Sequence, residues 1–216
     1  MNVAQNLASV RERIARAGGD PDEVTIVAVT KGFGADVCQH ALDAGLTILG
    51  ENRVQEALGK MDAVQGAQWH LIGHLQTNKV RQAAGRFALI QSVDSRHLAE
   101  ALAKVDPKQA VLVEVNVARE PQKSGVDPES AIDLIDEVSK QLDLRGLMAM
   151  GPMHGDPTPA FRELRGLRDE AQQRLGRSLP ILSMGMSGDF EAAVTAGSTM
   201  VRLGQVLFGP RPMGAG

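Results

Sequence analysis

A lysine at the end of an apolar segment is the first residue of this sequence with evident chemical potential. Lys31 closes the run VTIVAVTK at positions 24–31, in which five of the seven preceding side chains are apolar. Partial burial disfavours the ammonium form and lowers the pKa of a lysine toward the neutral amine that attacks carbonyl groups. Lys31 is therefore a candidate for Schiff-base formation with an aldehyde. The alternative is an ordinary lysine that extends from a strand end into solvent.

Two segments rich in glycine and serine, near the end of the chain, have the composition of an anion site. SMGMSGDFEAA contains the small residues Ser183, Gly185, Ser187 and Gly188. We expect Ser187 to be the N-cap of the helix that follows. GSTMVRLGQVLFG contains Gly197, Ser198, Thr199, Arg202 and Gly204. Each segment alone also suits ordinary turns, but glycines let backbone N–H groups approach phosphate oxygens, and together the segments predict a phosphate site.

Eight short apolar runs alternate with helical patterns along the chain. The runs are VTIVAVTK (24–31), LTILGEN (46–52), QWHLIG (68–73), FALIQSVDS (87–95), AVLVEVNV (110–117), LRGLMAMG (144–151), PILSMGMS (180–187) and TMVRLGQVLFG (199–209). Strands that alternate with helices form parallel βαβ units, and eight such units close into a barrel. We therefore predict an α/β fold, a single (β/α)8 TIM barrel spanning residues 1–216. An open doubly wound sheet is the alternative.

An additional helix is predicted before the first strand, because Val3, Leu7, Val10 and Ile14 share one face of a helical pattern. In a barrel of this type, functional residues lie at the carboxyl ends of the strands, and phosphate is often bound after strands 7 and 8. Lys31 would therefore face the two glycine-rich segments. A lysine opposite a phosphate site suits an aldehyde that bears a phosphate, and pyridoxal 5′-phosphate (PLP) fits that description.

Composition excludes several classes of protein. The net charge is −3 and no long basic block occurs, which argues against a nucleic-acid-binding protein. No segment approaches the ~18 consecutive apolar residues of a membrane span. The single cysteine, Cys38, cannot form an intrachain disulfide and indicates a reducing, cytoplasmic location. The chain contains no tyrosine, so no phenol is available for acid–base chemistry.

Six segments carry a resemblance to a known family. They are AVTKG, GENRVQEALGK, WHLIGHLQTNK, VNVAREPQKSG, GLMAMGP and SMGMSGDFEAAVTAGSTMVRLGQVLFGPR. In their order and over essentially the whole chain, they resemble the YggS/PROSC family of PLP homeostasis proteins. The resemblance implies a barrel of the alanine racemase N-terminal type, fold type III among PLP proteins. It also implies that Lys31 holds PLP as a Schiff base and that Asn52 of the GEN motif lies against the cofactor ring.

The same resemblance places the phosphate end of PLP against Ser187, Arg202 and Gly204, with Ser183, Met184 and Thr199 as lesser candidates. It leaves open whether Arg202 meets the phosphate or the pyridine nitrogen. A guanidinium at the nitrogen would oppose protonation of the ring and weaken the electron withdrawal that amino-acid chemistry needs.

Other polar residues have two interpretations each. His70 and His74 in WHLIGH suggest a metal pair, but they lack a third ligand, and support of the barrel mouth is favoured. Glu120 and Lys123 are expected to form an ion pair. The alternative is that Lys123 serves as a second amine for the cofactor aldehyde. Glu51 is expected to cap the helix that follows it.

The leading functional hypothesis is a protein that binds, buffers or delivers PLP without turning over amino acids. Its partners would be PLP and, transiently, apo-enzymes that need it, and we expect a monomer. A PLP-dependent racemase or decarboxylase is the alternative, and a Schiff-base aldolase is a third. Two-base racemisation needs an acid/base on each face of the substrate. In racemases of this fold type, a tyrosine on a separate C-terminal β domain supplies the second acid/base. The chain has no tyrosine, and we expect no such domain.

Overall fold

A closed parallel barrel forms the centre of the structure. The computed structural model describes residues 2–210, and its strands are β1 Thr25–Val29, β2 Ile48–Glu51, β3 Gln68–Leu71, β4 Leu89–Val93, β5 Ala110–Glu114, β6 Asp143–Met148, β7 Ile181–Ser183 and β8 Met200–Leu203. Each strand pairs in parallel with the next, and β8 pairs with β1. The predicted (β/α)8 barrel is confirmed and the open sheet is wrong. Residues 1 and 211–216 of the predicted single domain lie outside the described residues.

Helices cover the outer surface of the barrel. They are α1 Val3–Arg16, α2 Ala35–Asp43, α3 Val54–Met61, α4 Val80–Ala83, α5 Arg96–Val105, α6 Pro128–Gln141, α7 Thr158–Leu175, α8 Phe190–Thr195 and α9 Gln205–Phe208. A short 3₁₀ turn at Thr77–Lys79 precedes α4. In α6 the buried residues are Pro128, Ala131, Leu134, Ile135 and Val138. That spacing of three and four residues puts one apolar face of the helix on the sheet. Within residues 2–210, no helix is both long and apolar enough to cross a membrane.

The predicted N-terminal helix is confirmed as α1, and its buried residues are Val3, Leu7, Val10 and Ile14. The Asn2 side chain caps it by accepting a hydrogen bond from the Gln5 N–H at 3.0 Å. The Asn6 amide donates to the carbonyl oxygen of Leu207 in α9 at 2.8 Å. Helix α1 therefore ties the beginning of the chain to the segment that follows β8.

The last predicted strand differs from the structure. The apolar run at 199–209 becomes two elements, because β8 ends at Leu203 and Gly204 turns the chain into α9. Leu207 and Phe208 are buried, and the Phe208 ring packs edge-on against Phe33 with 5.7 Å between the centroids. A short apolar run does not reveal by itself whether it is strand or buried helix.

The barrel interior has an apolar and a polar layer. Side chains of Val27, Leu89, Leu112, Met148 and Met200 pack together as a separate apolar cluster inside the barrel. Since alternate side chains along a strand point to the same face, residues two positions further along face the interior one layer closer to the carboxyl ends. Gln91, Glu114 and Arg202 occupy such positions and are buried. The strands therefore build a polar chamber at the end of the barrel where function is expected.

Gly146 of β6 lies where a side chain has no room. A Cβ at this position would overlap the carbonyl oxygen of Ile181 in β7. The register between β5 and β6 also shifts here, since Val111 pairs with Leu144 and Leu112 with Gly146. We expect Gly146→Ala to lower the free energy of unfolding by about 2 kcal/mol or more, because β6 and β7 must separate. Urea unfolding followed by circular dichroism measures the change.

Gly166→Ala is the matched control, because a Cβ at Gly166 in α7 meets nothing within 4 Å. We expect this variant to raise the free energy of unfolding by about 0.5 to 1 kcal/mol, since alanine favours a helix interior more than glycine. Equal stability of the two variants would contradict the close approach of β6 and β7 at Gly146.

Candidate functional site

A cavity of about 640 Å³ opens at the carboxyl ends of the strands. Its volume lies in the usual range of small-molecule sites, roughly 300 to 1,000 Å³. Of the residues selected from the sequence, it is lined by Lys31, Asn52, Ser187, Arg202 and Gly204. The lining also includes Gly73, His74 and Glu114. The structure thus brings the candidate lysine, the arginine and the two glycine-rich segments to one chamber.

Lys31 is partly buried in the turn after β1, and a charged cluster holds the backbone before it. The Lys60 ammonium of α3 donates to the Thr30 carbonyl oxygen at 3.0 Å, to Glu51 Oε1 at 2.8 Å and to Glu56 Oε1 at 2.9 Å. The Thr30 hydroxyl donates to the same Glu51 oxygen. Thr30, Glu51, Glu56 and Lys60 form what we call the Lys60 cluster.

The Lys60 cluster also holds the backbone after Lys31, because Glu56 Oε1 accepts a hydrogen bond from the Gly32 N–H. Both neighbours of Lys31 are therefore anchored to α3. Gly32 has φ 76°, a left-handed conformation that glycine adopts at little cost. The base of the Lys31 side chain is held in place by groups that were not selected from the sequence.

Within the Lys60 cluster, Lys60 and Glu51 are buried, whereas Glu56 is partly exposed. Burial lowers the pKa of Lys60, but its hydrogen bonds to Glu51 and Glu56 outweigh that effect and raise it above the ordinary value. Burial raises the pKa of Glu51, and hydrogen bonds from Lys60 and Thr30 oppose the rise. Glu51 has 0% exposure, and its Oε2 has no hydrogen-bond partner among the described residues. The expectation that Glu51 caps α3 was wrong, because its carboxylate points to Lys60 instead.

Asn52 is positioned by the contact of two neighbouring loops. A Cβ on Gly73, in the loop after β3, would overlap the backbone of Asn52, in the loop after β2. The Gly73 carbonyl oxygen in turn accepts a hydrogen bond from the Ser92 hydroxyl at 2.7 Å. Gly73 therefore allows the close approach that places Asn52 on the cavity wall.

Arg202 begins a directed chain of hydrogen bonds across the barrel interior, which we call the Arg202 chain. Its Nη1 donates to the Ser183 carbonyl and hydroxyl oxygens at 2.9 and 2.7 Å, and its Nη2 donates to the Ala149 carbonyl oxygen at 2.9 Å. The Ser183 hydroxyl donates to Gln91 Oε1 at 2.7 Å. Gln91 Nε2 lies 3.0 Å from His70 Nδ1. Because the amide nitrogen can only donate, His70 Nδ1 must accept.

Electrostatics in the chamber follow from burial. Burial lowers the pKa of His70 to about 4, so its imidazole is neutral near neutral pH and can accept at Nδ1. Burial lowers the pKa of Arg202 to about 10, while Glu114 and Asp189 oppose the change, and the guanidinium stays charged. Burial raises the pKa of Glu114 to about 7, with attraction by Arg202 opposing and repulsion by Asp94 adding to the rise.

Several predicted residues lie elsewhere. Met184 is fully buried in the core between barrel and helices. Thr199 precedes β8, at the opposite end of the barrel, where its hydroxyl accepts from the Leu182 N–H at 2.8 Å and donates to the Pro180 carbonyl at 3.0 Å. Ser183 does not line the cavity and reaches it only through Arg202. Thr199 and Met184 are thus removed from the candidate set by position, since neither side chain faces the chamber.

Ser187 lines the cavity but is not a helix cap. The N-cap of α8 is Asp189, whose Oδ1 accepts from the Met186 N–H at 2.6 Å. The Ser187 hydroxyl instead accepts from the Val206 N–H at 3.3 Å and so joins the loop after β7 to α9. The N-cap thus lies two residues later than predicted, and the Asp189 side chain makes no capping hydrogen bond to α8.

The histidines do not form a metal pair. His70 is bonded to Gln91, while His74 Nδ1 lies 3.1 Å from Asp94 Oδ2. Over residues 2–210, His, Cys, Asp and Glu form no group of three or more that could hold a metal ion.

The expected ion pair between Glu120 and Lys123 is confirmed at 2.9 Å. Lys123 also donates to the Gly151 carbonyl oxygen at 2.6 Å, and Glu120 Oε1 accepts from the Met153 N–H at 2.7 Å. These bonds attach the loop after β5 to the loop after β6 at the rim of the cavity.

Sequence reasoning missed Lys60, Glu56, Gln91 and Glu114. Gln91 and Glu114 carried a usable signal, because each lies two positions after an apolar residue of the barrel interior, Leu89 and Leu112. A polar side chain with that parity must face the barrel interior. Glu56 and Lys60 resemble an ordinary surface pair four residues apart on a helix, and no local pattern distinguishes them.

Comparisons with known proteins agree with this geometry. Residues 1–212 match the family described as alanine racemase, N-terminal domain. A pyridoxal phosphate homeostasis protein of Aquifex aeolicus is 41% identical, over 98% of this chain and 99% of the relative. The structure of PipY from Synechococcus elongatus with PLP bound is 34% identical, with a TM-score of 0.84 over 96% of this chain and 100% of that chain. An alanine racemase of Clostridium difficile in complex with cycloserine shares the fold at 16% identity, with a TM-score of 0.80 over 99% of this chain and 61% of that chain.

Lys60→Met should weaken the protein strongly, since it leaves Glu51 as a buried carboxylate without its cation. We expect the free energy of unfolding to fall by about 3 kcal/mol, as when one partner of a buried ion pair is removed. Urea unfolding measures the loss. The double variant Lys60→Met/Glu51→Gln should recover part of it, because the uncompensated charge is gone.

Lys140→Met is the control for this substitution, because Lys140 is an exposed lysine near the end of α6. It should change the free energy of unfolding by at most about 0.5 kcal/mol. If Lys60→Met were equally mild, the Lys60 cluster would not anchor the turn that carries Lys31.

Proposed function

Because this chain belongs to the family of pyridoxal phosphate homeostasis proteins, with the alanine racemase N-terminal fold, we propose that it binds PLP for vitamin B6 homeostasis. It holds the cofactor through Lys31 and buffers or delivers it without turning over amino acids. The observation that carries this proposal is the position of Lys31 on the wall of one chamber with the buried Arg202 and the loops of Ser187 and Gly204.

The residues present suit this cofactor. PLP supplies an aldehyde that condenses reversibly with a lysine amine. The chamber offers an amine at Lys31, a buried guanidinium at Arg202 and the rim loops of Ser187 and Gly204. A phosphate requires hydrogen-bond donors, which small residues in loops let the backbone supply, and an aromatic ring requires a wall such as Asn52 and Val29 provide. Nothing in the lining demands a different class of ligand.

Lys31 acts as the anchoring amine. The Lys60 cluster holds the backbone on both sides of it, so that the side chain projects from a fixed base toward the cavity. Pre-organisation of this kind reduces the entropy that binding would otherwise cost.

Arg202 acts at the inner end of the chamber. It is 4% exposed and lies on a barrel strand, whereas Ser187 and Gly204 are partly exposed in rim loops. We therefore assign Arg202 to the ring nitrogen and the rim loops to the phosphate. A guanidinium has no acceptor and does not give up its proton, so it donates to the nitrogen and keeps the ring neutral. That weakens electron withdrawal and suits storage more than turnover.

A racemase or decarboxylase is the less favoured function. The alanine racemase shares the fold at only 16% identity, whereas the homeostasis protein of Aquifex aeolicus is 41% identical. The sequence has no tyrosine to serve as an acid/base. His70 is committed to Gln91 and neutral. These features support retention of the cofactor. A Schiff-base aldolase has no counterpart among the relatives described above.

Partners and location complete the proposal. We propose that the protein acts as a monomer, because the barrel of a single chain closes on itself. Transient contact with apo-enzymes would deliver PLP. A cytoplasmic location is consistent with the single cysteine, Cys38, which is buried and cannot form an intrachain disulfide.

The role of Lys31 predicts a coloured protein. Addition of PLP to the purified wild type should produce visible absorption, and borohydride reduction should fix a pyridoxyl group on Lys31, located by peptide mass spectrometry. Lys31→Ala should lose the covalent adduct, because the amine is gone. Lys108→Ala, which removes an exposed lysine before β5 at the far end of the barrel, should behave as wild type. A wild type that takes up no PLP would refute the proposed function.

The carrier role predicts transfer without turnover. We expect the PLP-loaded protein to leave a panel of amino acids unchanged, as followed by chiral chromatography, and to restore activity to an apo-enzyme. Protein whose cofactor has been fixed by borohydride is the control and should restore none. Transfer by contact requires a rate that increases with apo-enzyme concentration. Rapid racemisation or decarboxylation of any amino acid would favour the enzyme alternative.

A further inference from the structure

Glu114 is a buried acid that faces the cofactor chamber. It ends β5, is 2% exposed and lines the cavity. Over residues 2–210, no other side chain donates a hydrogen bond to its carboxyl group, in contrast to Glu51 in the Lys60 cluster. Because Glu114 lines the cavity, its carboxyl group is within reach of a ligand bound there. Neither the sequence motifs nor the assignment of PLP contacts gave this residue a role.

Two charged residues influence the carboxyl group of Glu114. Arg202 approaches from β8 and attracts the carboxylate, whereas Asp94, after β4, repels it. On β6 the residue paired with Glu114 is Met148, which carries no charge. Burial exceeds these effects and raises the pKa of the carboxyl group to about 7.

Two further titratable groups share the cavity lining. Lys31 follows β1 and His74 follows β3. His74 is paired with Asp94, which ties it to the wall of the chamber. The chamber thus holds an acid that exchanges its proton near neutral pH, Glu114, beside the permanent cation Arg202.

An anionic ligand in the chamber favours the protonated form of Glu114 over the carboxylate. PLP carries a phosphate and a phenolic oxygen, both negative near neutral pH. When it fills the chamber it displaces water from Glu114 and adds negative charge nearby, and both effects disfavour the carboxylate. The protonated carboxyl group is uncharged and gains an O–H that donates a hydrogen bond.

On the basis of the proposed function, we propose that Glu114 contacts the bound cofactor in its protonated form, so that binding takes up one proton at this residue and release sets it free. The proton comes from solvent and no other bond changes. Glu114 is thereby a binding residue that makes affinity depend on pH. Below the pKa of Glu114, binding needs no proton. Above that pKa, the affinity for the cofactor falls as the pH rises, because Glu114 must take up a proton when the cofactor binds.

The test compares wild type with Glu114→Gln, which keeps the shape but cannot ionise. Pyridoxine 5′-phosphate is the probe, because it lacks the aldehyde and so leaves the amine of Lys31 out of the equilibrium. Between about pH 6 and about pH 8, the affinity of the variant relative to wild type should rise about tenfold, from the protonation of a group with pKa about 7. Calorimetric titration measures both affinities, and ionisation of the probe's phosphate cancels in the ratio.

Titration in two buffers of different ionisation enthalpy counts the protons directly. At about pH 8, the wild type should take up about one proton more than Glu114→Gln. Glu100→Gln is the matched control, because it removes the same charge from an exposed position on α5 and should follow wild type. Asp94→Asn retains Glu114 but removes a repulsive charge, so the fall in affinity should begin at a lower pH.

The outcomes separate this inference from the proposed function. Identical pH profiles for wild type and Glu114→Gln would overturn the role of Glu114 while binding itself stands. Tighter binding by wild type at about pH 8 would overturn it as well, since the carboxylate would then act in its charged form. If wild type bound neither PLP nor pyridoxine 5′-phosphate at any pH, the proposed function and this inference would both fail.

Discussion

The buried ion pair between Lys60 and Glu51 is the interaction on which the position of the candidate amine depends. It lies behind the β1 turn, with 2.8 Å between ammonium and carboxylate, and its members are shielded from water. A buried pair gains little net stability over apolar residues, but removal of one member is costly. Its effect here is geometric. Lys60 binds the carbonyl before Lys31 and Glu56 binds the N–H after it, so the turn has one conformation in which its backbone groups are satisfied.

The Arg202 chain fixes the geometry of the opposite wall of the chamber in a similar way. Its hydrogen bonds run in one direction, from the guanidinium through Ser183 and Gln91 to the neutral His70. Because a charged His70 could not accept at Nδ1, the low pKa of the histidine and the direction of the chain depend on each other. Four strands, β3, β4, β7 and β8, are joined by this path across the barrel interior. A polar layer that is fully satisfied in this way gives the chamber a defined shape.

The fold was predictable because it is encoded in periodicity. Eight apolar runs separated by helical patterns leave few arrangements open, and the barrel is among them. The end of β8 was not predictable, since the apolar residues Leu207 and Phe208 bury themselves equally well in a helix packed on α1. Lys31 was found because it closes a strand, and Arg202 because it accompanies glycines.

Residues that act through long-range contacts left no such trace in the sequence. Lys60 and Glu51 are nine positions apart, on a helix and a strand, and only the tertiary fold shows that they meet. Thr199 was predicted to share the role of Arg202 because the two residues are close in sequence, but they are far apart in the barrel. The two lie at opposite ends of one short strand, and β8 carries the chain from the base of the barrel to its mouth between them.

The two hydrogen-bonded walls have a consequence for the electrostatics of the chamber. Since the Lys60 ammonium and the Arg202 guanidinium already have partners, a ligand that enters has little protein structure to reorganise. Arg202 remains a cation, because its pKa of about 10 lies well above neutrality. Glu114 differs, since its pKa of about 7 lets its charge follow its surroundings. In the proposed role, Glu114 on β5 therefore answers the charge of an anion by taking up a proton, while the guanidinium of Arg202 on β8 stays charged.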